Sequence, residues 1–444
     1  MKAQIRISDH FTYGRLLRFT RPCIVMMIVT SVYSIVDGFF ISNFVGKEAF
    51  AGANLVWPVL MAFSSFGYMI GTGGSALVAK TMGEGEQDRA NQIFTMLVGV
   101  LVMVGCIAAS IGFVLMPSIV RLLGATPALM NHSITYGRIV LLSGPFFMLQ
   151  AAYQNLLVTA EKAKMGLAMS VTAGVMNVVM DFLLVYCFPL GIMGAALATA
   201  ASQLVGGLVP TLYFFLPNHS RLKLVRFRMD WRSLAKACGN GSSEMLSTLS
   251  SSLVGVLYNL QLLRLAGEDG LAAYGVIMYV SFIFVAVFFG YAVGTGPVVG
   301  FHYGAQNWEE IRSLLKKSLV ITGCFALVMT AAAQLGARPL AQLYVGYDPA
   351  LAQLTARGMS LYCTAFLLSG FNIFASAFFT GLNNGLVSAL ISSLRTLVLQ
   401  ILSIFLLPMV LGVNGIWLAL ALAEAGTLLF SLTMLAVHRK TYHY

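Results

Sequence analysis

Twelve apolar runs follow one another along this chain, each about as long as a helix that crosses a bilayer, roughly 20 residues. They fall near Pro22–Ser42, Leu55–Ala79, Ile93–Met116, Ile134–Val158, Gly166–Phe188 and Gly194–Leu216. Past a basic stretch, six more fall near Cys238–Leu263, Leu271–Val299, Ser318–Leu335, Gly358–Thr380, Val387–Val410 and Gly415–Val437. Of 444 residues, 58% are hydrophobic and 10% are charged, against about 25% charged in soluble domains. That leaves no room for a sizeable soluble domain. The sequence predicts an all-α polytopic membrane protein with twelve transmembrane helices. Met1 to Arg21 is short and basic and leads into the first span with no clear small-residue cleavage site. It reads as the lead-in to an uncleaved first helix rather than a signal peptide.

The net charge of +11 sits beside the spans, where basic residues set topology, and does not indicate nucleic-acid binding. With the N-terminus inside, the inside segments hold 20 of the 27 Lys and Arg, from Lys2 to Lys440. The asymmetry predicts both termini in the cytoplasm and an even number of spans, in a plasma membrane. The stretch Pro217–Lys236 is the longest polar one, and its basic pattern reads as an interfacial connector. A positive-inside anchor is the plain interpretation, and an anionic-lipid site is the more specific one. Six Cys are scattered without paired spacing, so free thiols are expected, neither disulfides nor metal ligands.

An internal repeat sets the architecture. Gly67-Tyr68-Met69-Ile70-Gly71-Thr72-Gly73 recurs as Gly290-Tyr291-Ala292-Val293-Gly294-Thr295-Gly296, 223 residues on. Gly191, Gly194, Leu197 and Ala198 recur as Gly412, Gly415, Leu418 and Ala419, 221 residues on. Like segments match across an even number of spans, so the halves are parallel repeats about an axis along the membrane normal. The expected organisation is a six-helix lobe over residues 1–216, a basic linker over 217–236 and a second six-helix lobe over 237–444. Two such lobes leave a cavity between them. The run Gly71-Thr72-Gly73-Gly74 has no strand before it and ends an apolar span, so it reads as close helix packing, not a nucleotide loop.

Four carboxylates fall inside the spans: Asp37, Asp181, Glu244 and Glu424. A carboxylate at membrane depth costs about 2.5–3.5 kcal/mol and marks a functional site by default. Asn177 and Asp181 are four residues apart and share a helix face. Gly191-Ile192-Met193-Gly194 is read as a tight turn into a second helix that starts with small residues and presents Thr199. Asp37 and Asp181 each lie about 16 residues into helices that enter from the same side, so the two meet at one depth. Paired acids titrate as a unit, and with Asn177 and Thr199 they offer the all-oxygen surroundings of a hard cation. Glu244 is read evenly as a second cation site or an interfacial residue. Glu424, which aligns with Gln203, is read as a helix-packing hydrogen bond. Asp181 aligns with Leu402 and Asn177 with Val398, so the coupling chemistry is expected in the first lobe alone.

Several features together resemble the multidrug and toxic compound extrusion (MATE) family along essentially the whole chain. They are Pro22 and Asp37-Gly38-Phe39-Phe40, followed by Gly46, Ala51 and Ala53; Gly71-Thr72-Gly73 with Gly83; and Asn177-x-x-x-Asp181. Gly191-x-x-Gly194-Ala195-Ala196-x-Ala198-Thr199, Gly294-x-Gly296-Pro297 and Tyr303-Gly304-Ala305 complete the set. The resemblance implies two six-helix lobes and export of organic, often cationic, compounds in exchange for H⁺ or Na⁺. In the branch with an aspartate pair in the first lobe, the cation site falls on Asp37, Asn177, Asp181 and Thr199. Pro22 falls where the first helix bends, and Tyr136 where a fourth-helix Tyr lines the cavity. Glu244 matches a seventh-helix Glu of other branches, but the tenth helix offers Asn372 where they carry Asp, which puts a complete second-lobe site in doubt. Tyr33, Tyr136, Gln150 and Gln154 are expected in an adaptable cavity wall with some of the Met and Phe residues. No cofactor is expected beyond the coupling ion, and a single chain is expected to suffice.

Two readings compete. A lipid-linked precursor flippase of the same superfamily would share fold and repeat but wants a strongly basic cavity, and Arg395 alone is clearly intramembrane. A membrane-embedded enzyme lacks paired His, a nucleophile motif or metal-ligand spacing.

Overall fold

The computed structural model describes residues 5–444. Lys2, counted above with the inside charges, lies outside the described residues. These fold into helices joined by short turns and, over 216–230, by one longer connector, with no strand among them. In hydrocarbon each backbone polar group must be satisfied within its own segment, which a helix achieves. The first half holds α1 (Tyr13–Val45), α2 (Lys47–Gly83), α3 (Gln87–Leu122), α5 (Ala163–Cys187) and α6 (Gly191–Phe215). Between α3 and α5 lies α4, broken at Ser143 into Pro127–Leu142 and Gly144–Thr159. Pro145 follows the break and has no N–H to carry the helical ladder across it. The second half opens with a helical run, Trp231–Gly304, that breaks at Gly267 (φ 64°, ψ −152°). Only glycine takes that geometry readily, and it divides the run into α7 (231–266) and α8 (268–304). Then come α9 (Trp308–Val345), α10 (Pro349–Gly381), α11 (Gly385–Leu411) and α12 (Val413–Tyr442).

The twelve helices form two six-helix lobes, α1–α6 and α7–α12. Several outrun the apolar runs that announce them. Helix α2 has 37 residues, about 55 Å at 1.5 Å per residue, and polar first and last turns extend it beyond hydrocarbon. Helix α7 starts at Trp231, capped by Asp230 Oδ1, which accepts from the N–H groups of Arg232 (3.0 Å) and Ser233 (3.1 Å). That cap falls inside the stretch read as linker, so helix begins earlier than its first long apolar run.

The lobes meet at the end of the bundle that carries both termini, and the repeated glycines make the meeting. A methyl group at Gly73 would strike the carbonyl of Ala237, and one at Gly241 the carbonyl of Met69. Gly83 stands against Phe301, Gly304 against Lys80 and Gly290 against Ile24, all through backbone atoms. The runs at Gly67–Gly73 and Gly290–Gly296 are thus helical packing surfaces with no loop. Residues 5–12 cross the same end as a strap with Ile7 and Phe11 fully buried. The Ile7 N–H donates to Glu161 Oε1 (3.1 Å) in the α4–α5 turn of the first lobe. The Phe11 N–H donates to Glu310 Oε1 (2.9 Å) at the start of α9. His10 Nδ1 is 2.5 Å from Glu310 Oε2, and the Lys317 ammonium donates to the Phe11 carbonyl.

The second lobe encloses an ion pair. Glu424 on α12 is fully buried and accepts from Arg395 Nε (2.8 Å), Ser369 Oγ (2.9 Å) and Asn372 Nδ2 (2.7 Å). The helix-packing bond expected of Glu424 is present, and Arg395, read above as clearly intramembrane, is its partner. All six cysteines are free.

Two outcomes follow. Gly241→Leu forces the seam apart, so spin labels at positions 80 and 236 should separate by several ångströms in the purified protein; an unchanged distance in a folded variant contradicts the seam. Glu424→Ala leaves Arg395 buried without its anion and should cost about 3–5 kcal/mol, whereas Arg395→Leu/Glu424→Leu together should recover most of it, as thermal unfolding in detergent will show.

Candidate functional site

Three helices of the first lobe converge because small residues let them. A methyl at Gly194 would come 2.7 Å from the Leu184 carbonyl, and one at Gly174 would come 3.2 Å from the Tyr33 ring. Gly194 is therefore the contact between α5 and α6 and not part of a turn. The turn lies one step earlier, at 188–190, and α6 already starts at Gly191, whose φ is +61°. This tight hairpin, with α1 packed on it, brings Asp37, Asn177, Asp181 and Thr199 together.

Asn177 Nδ2 donates to Asp37 Oδ1 at 3.3 Å, and Thr199 Oγ1 reaches the same oxygen at 3.5 Å while bonding the Ala195 carbonyl at 3.1 Å. The Asp181 carboxyl is in contact with that of Asp37. Asp181 is fully buried, and with both acids deprotonated neither of its oxygens has a donor; Asn177 Oδ1 is likewise buried and unpartnered. A buried carboxylate left that way is costly. The open valences are all oxygen, the donor type that suits a proton or a hard cation. Of the two acids, Asp37 lines a cavity of about 400 Å³ and Asp181 lies behind it.

Tyr33, Tyr136, Gln150, Asn177 and Thr199 line this cavity with Asp37, and α8 closes it from the second lobe with Tyr279 and Phe282. Gln154 does not line it. One helical turn along α4 from Gln150, about 6 Å, it borders a separate pocket of about 10 Å³ with Met26 and Ser170. Pro22 lies within α1, which continues as α-helix past it to Phe40 and then widens into a π turn at Ile41–Val45. A second π turn, Phe182–Cys187, directly follows Asp181. Glu244 is half-buried on α7, apart from the acid pair and within electrostatic reach of Tyr68 and Arg395.

Sequence reasoning passed over part of the wall. Asn54, Trp57, Met61 and Tyr68 of α2 all face the cavity, at steps of three, four and seven that mark one helix face. Gln203 lines it as well and accepts from Ser143 Oγ at 2.6 Å, across the break in α4. In the other lobe, Val398 and Leu402 stand at the positions of Asn177 and Asp181, 44% and 49% exposed on the outside of α11. The cluster is not duplicated.

The MatE family model matches twice, over residues 22–183 and 245–406. The two matches are offset by the same 223 residues as the glycine motif. The multidrug export protein MepA of Staphylococcus haemolyticus is 22% identical over 415 residues, covering 93% of this chain and 90% of that protein. A MATE crystallised in a straight conformation superposes with a TM-score of 0.92 at 21% identity, over 98% of both chains. A MATE in a bent conformation gives 0.87 at 22% identity, with 98% of each chain covered. The family model covers most of the chain in two copies, and the chain belongs to the MatE family.

Proposed function

We propose that this membrane protein exports organic, often cationic, compounds in exchange for H⁺ or Na⁺ by alternating access, with Asp37 and Asp181 as the coupling site. One observation carries the reading: a buried carboxylate that has no donor when both acids are deprotonated lies against a second carboxylate that opens onto a cavity between two lobes. Two such groups do not both hold charge there without a proton or cation between them. In the arrangement described, the lobes close at the end carrying the termini. The charge asymmetry assigns that end to the cytoplasm, so the cavity faces outward.

From that state the cycle runs as follows. Asp37 and Asp181 take up the ion from outside, with Asn177 Oδ1 and Thr199 Oγ1 as further ligands. With the ion held, the pair carries one negative charge fewer, less opposes repacking of α1 around Pro22, and the cavity holds a cationic drug less tightly. The lobes, residues 1–216 and 237–444 about the linker 217–236, then rock to open inward. The ion leaves, the drug binds beside the recharged pair, and the lobes return. Tyr33, Tyr136 and Gln150 supply an aromatic and amide wall that adapts to differing cargo. The name of the Staphylococcus relative, a multidrug export protein, supports this class of cargo. A single chain holds every part the cycle uses. Among the described residues the cavity lining carries Asp37 and no Lys or Arg, which opposes a pyrophosphate-bearing cargo and so the flippase reading.

Proteoliposomes loaded with ethidium test the assignment. An imposed pH or Na⁺ gradient should drive efflux, and the gradient that works names the ion. Asp37→Asn and Asp181→Asn should each reduce efflux to the level of empty liposomes while melting no lower than the native chain. Drug movement that survives both substitutions would place coupling elsewhere, with Glu244 next in line.

A further inference from the structure

A second concavity, remote from the acid pair, opens at the end that carries both termini. It encloses about 720 Å³ and has walls from three segments. Arg6 and Asp9 come from the strap and Arg15 from the start of α1; Glu161 and Lys162 come from the α4–α5 turn, and His219 and Arg221 from the connector after α6. Four fixed cations thus face two carboxylates, and both carboxylates are engaged. Arg15 Nη2 lies 2.5 Å from Asp9 Oδ2, and Arg221 Nη1 lies 3.5 Å from Glu161 Oε1. Arg6 and Lys162 form no ion pair among the described residues. Helix α5 also begins at this wall, after Lys162, with no side-chain cap on its first N–H groups. That end of a helix favours an anion. Close by in sequence, Tyr13 and Leu17 of α1, Phe215 at the end of α6 and Leu216 just after it are exposed apolar groups.

We propose that this cavity binds the phosphate headgroup of an anionic phospholipid from the leaflet at that end, through Arg6, Lys162 and Arg221. Surplus positive charge in a concavity between helix ends at headgroup level fits that ligand, and the exposed apolar residues beside it suit acyl chains. A bound headgroup links the strap, the α4–α5 turn and the connector. The far end of the strap is held by Glu310 and Lys317 of the second lobe. The lipid therefore reinforces closure of the seam. The inference stands apart from the transport reading, and its test measures lipid and not drug.

The purified full-length chain is offered phosphatidylglycerol and phosphatidylcholine of matched acyl chains, and retained lipid is counted by native mass spectrometry. The native chain should keep phosphatidylglycerol preferentially. Arg6→Gln and Lys162→Gln break no ion pair, and each should weaken retention about fivefold. Arg6→Lys/Lys162→Arg keeps the charge and should retain lipid like the native chain, which separates loss of charge from loss of fold. Equal retention of the two lipids, or native retention in Arg6→Gln/Lys162→Gln, overturns the site. Millimolar inorganic phosphate is added in a parallel arm. Failure to displace the lipid supports a headgroup as ligand, and full displacement overturns the lipid in favour of a soluble phosphate.

Discussion

Everything in this molecule depends on how closely two helix backbones approach at one end. Gly73 and Gly241, and Gly83 and Gly304, let α2 run against α7 and α8 with no side chain between them. Lipid tails are as apolar as leucine, so lobes in a membrane gain nothing from burying leucine against each other. They gain from contacts that only small residues allow. With the seam fixed at the end of the termini, the space left between the lobes lies on the other side of it, where Asp37 is. The strap of residues 5–12 reinforces the same end with bonds to both lobes.

The two lobes share a scaffold and treat buried charge in opposite ways. In the second lobe, Glu424 has three side-chain donors, one of them the guanidinium of Arg395. That carboxylate is complete, and its surroundings hold one arrangement. In the first lobe Asp181, with both acids deprotonated, has no donor among the described residues and lies against another acid. A group left incomplete inside a packed core needs something from outside, and in this lobe such a group stands behind a carboxylate that lines the cavity between the lobes. Duplication gave the lobes a common frame, and the difference between them gives the protein a direction in which to work.

Much of this was legible in the sequence. The apolar runs located the helices, the 223-residue offset of Gly67–Gly73 and Gly290–Gly296 gave two parallel halves, and the spacing of Asn177 and Asp181 placed both on one face. Asp37, Asn177, Asp181 and Thr199 do come together. The rest depends on contacts that hydropathy does not encode. Gly194 looks like a turn residue until Leu184 is seen against it. Arg395 and Glu424 lie on different helices, and nothing local joins them; only the cost of a solitary charge in hydrocarbon hints that each needs the other. The break in α4 was written in Ser143-Gly144-Pro145, but the apolar residues on both sides concealed it. Gln154 has the right chemistry for the cavity and sits one turn too deep.

The widened turns Ile41–Val45 and Phe182–Cys187 have a meaning for the chain's tolerance of change. In each, a backbone N–H reaches five residues back: Gly46 to the Ile41 carbonyl at 3.1 Å and Phe188 to the Leu183 carbonyl at 2.8 Å. Such a turn accommodates one residue more than an α-helix does. Loss of a single residue there would restore regular helix and rotate whatever lies beyond by about 100°, one residue's share of a turn. The acids, on the near side of both turns, would keep their places. A change of length at the far end of α5 would thus leave Asp37, Asn177 and Asp181 where they are but turn α6, and Thr199 with it, away from them.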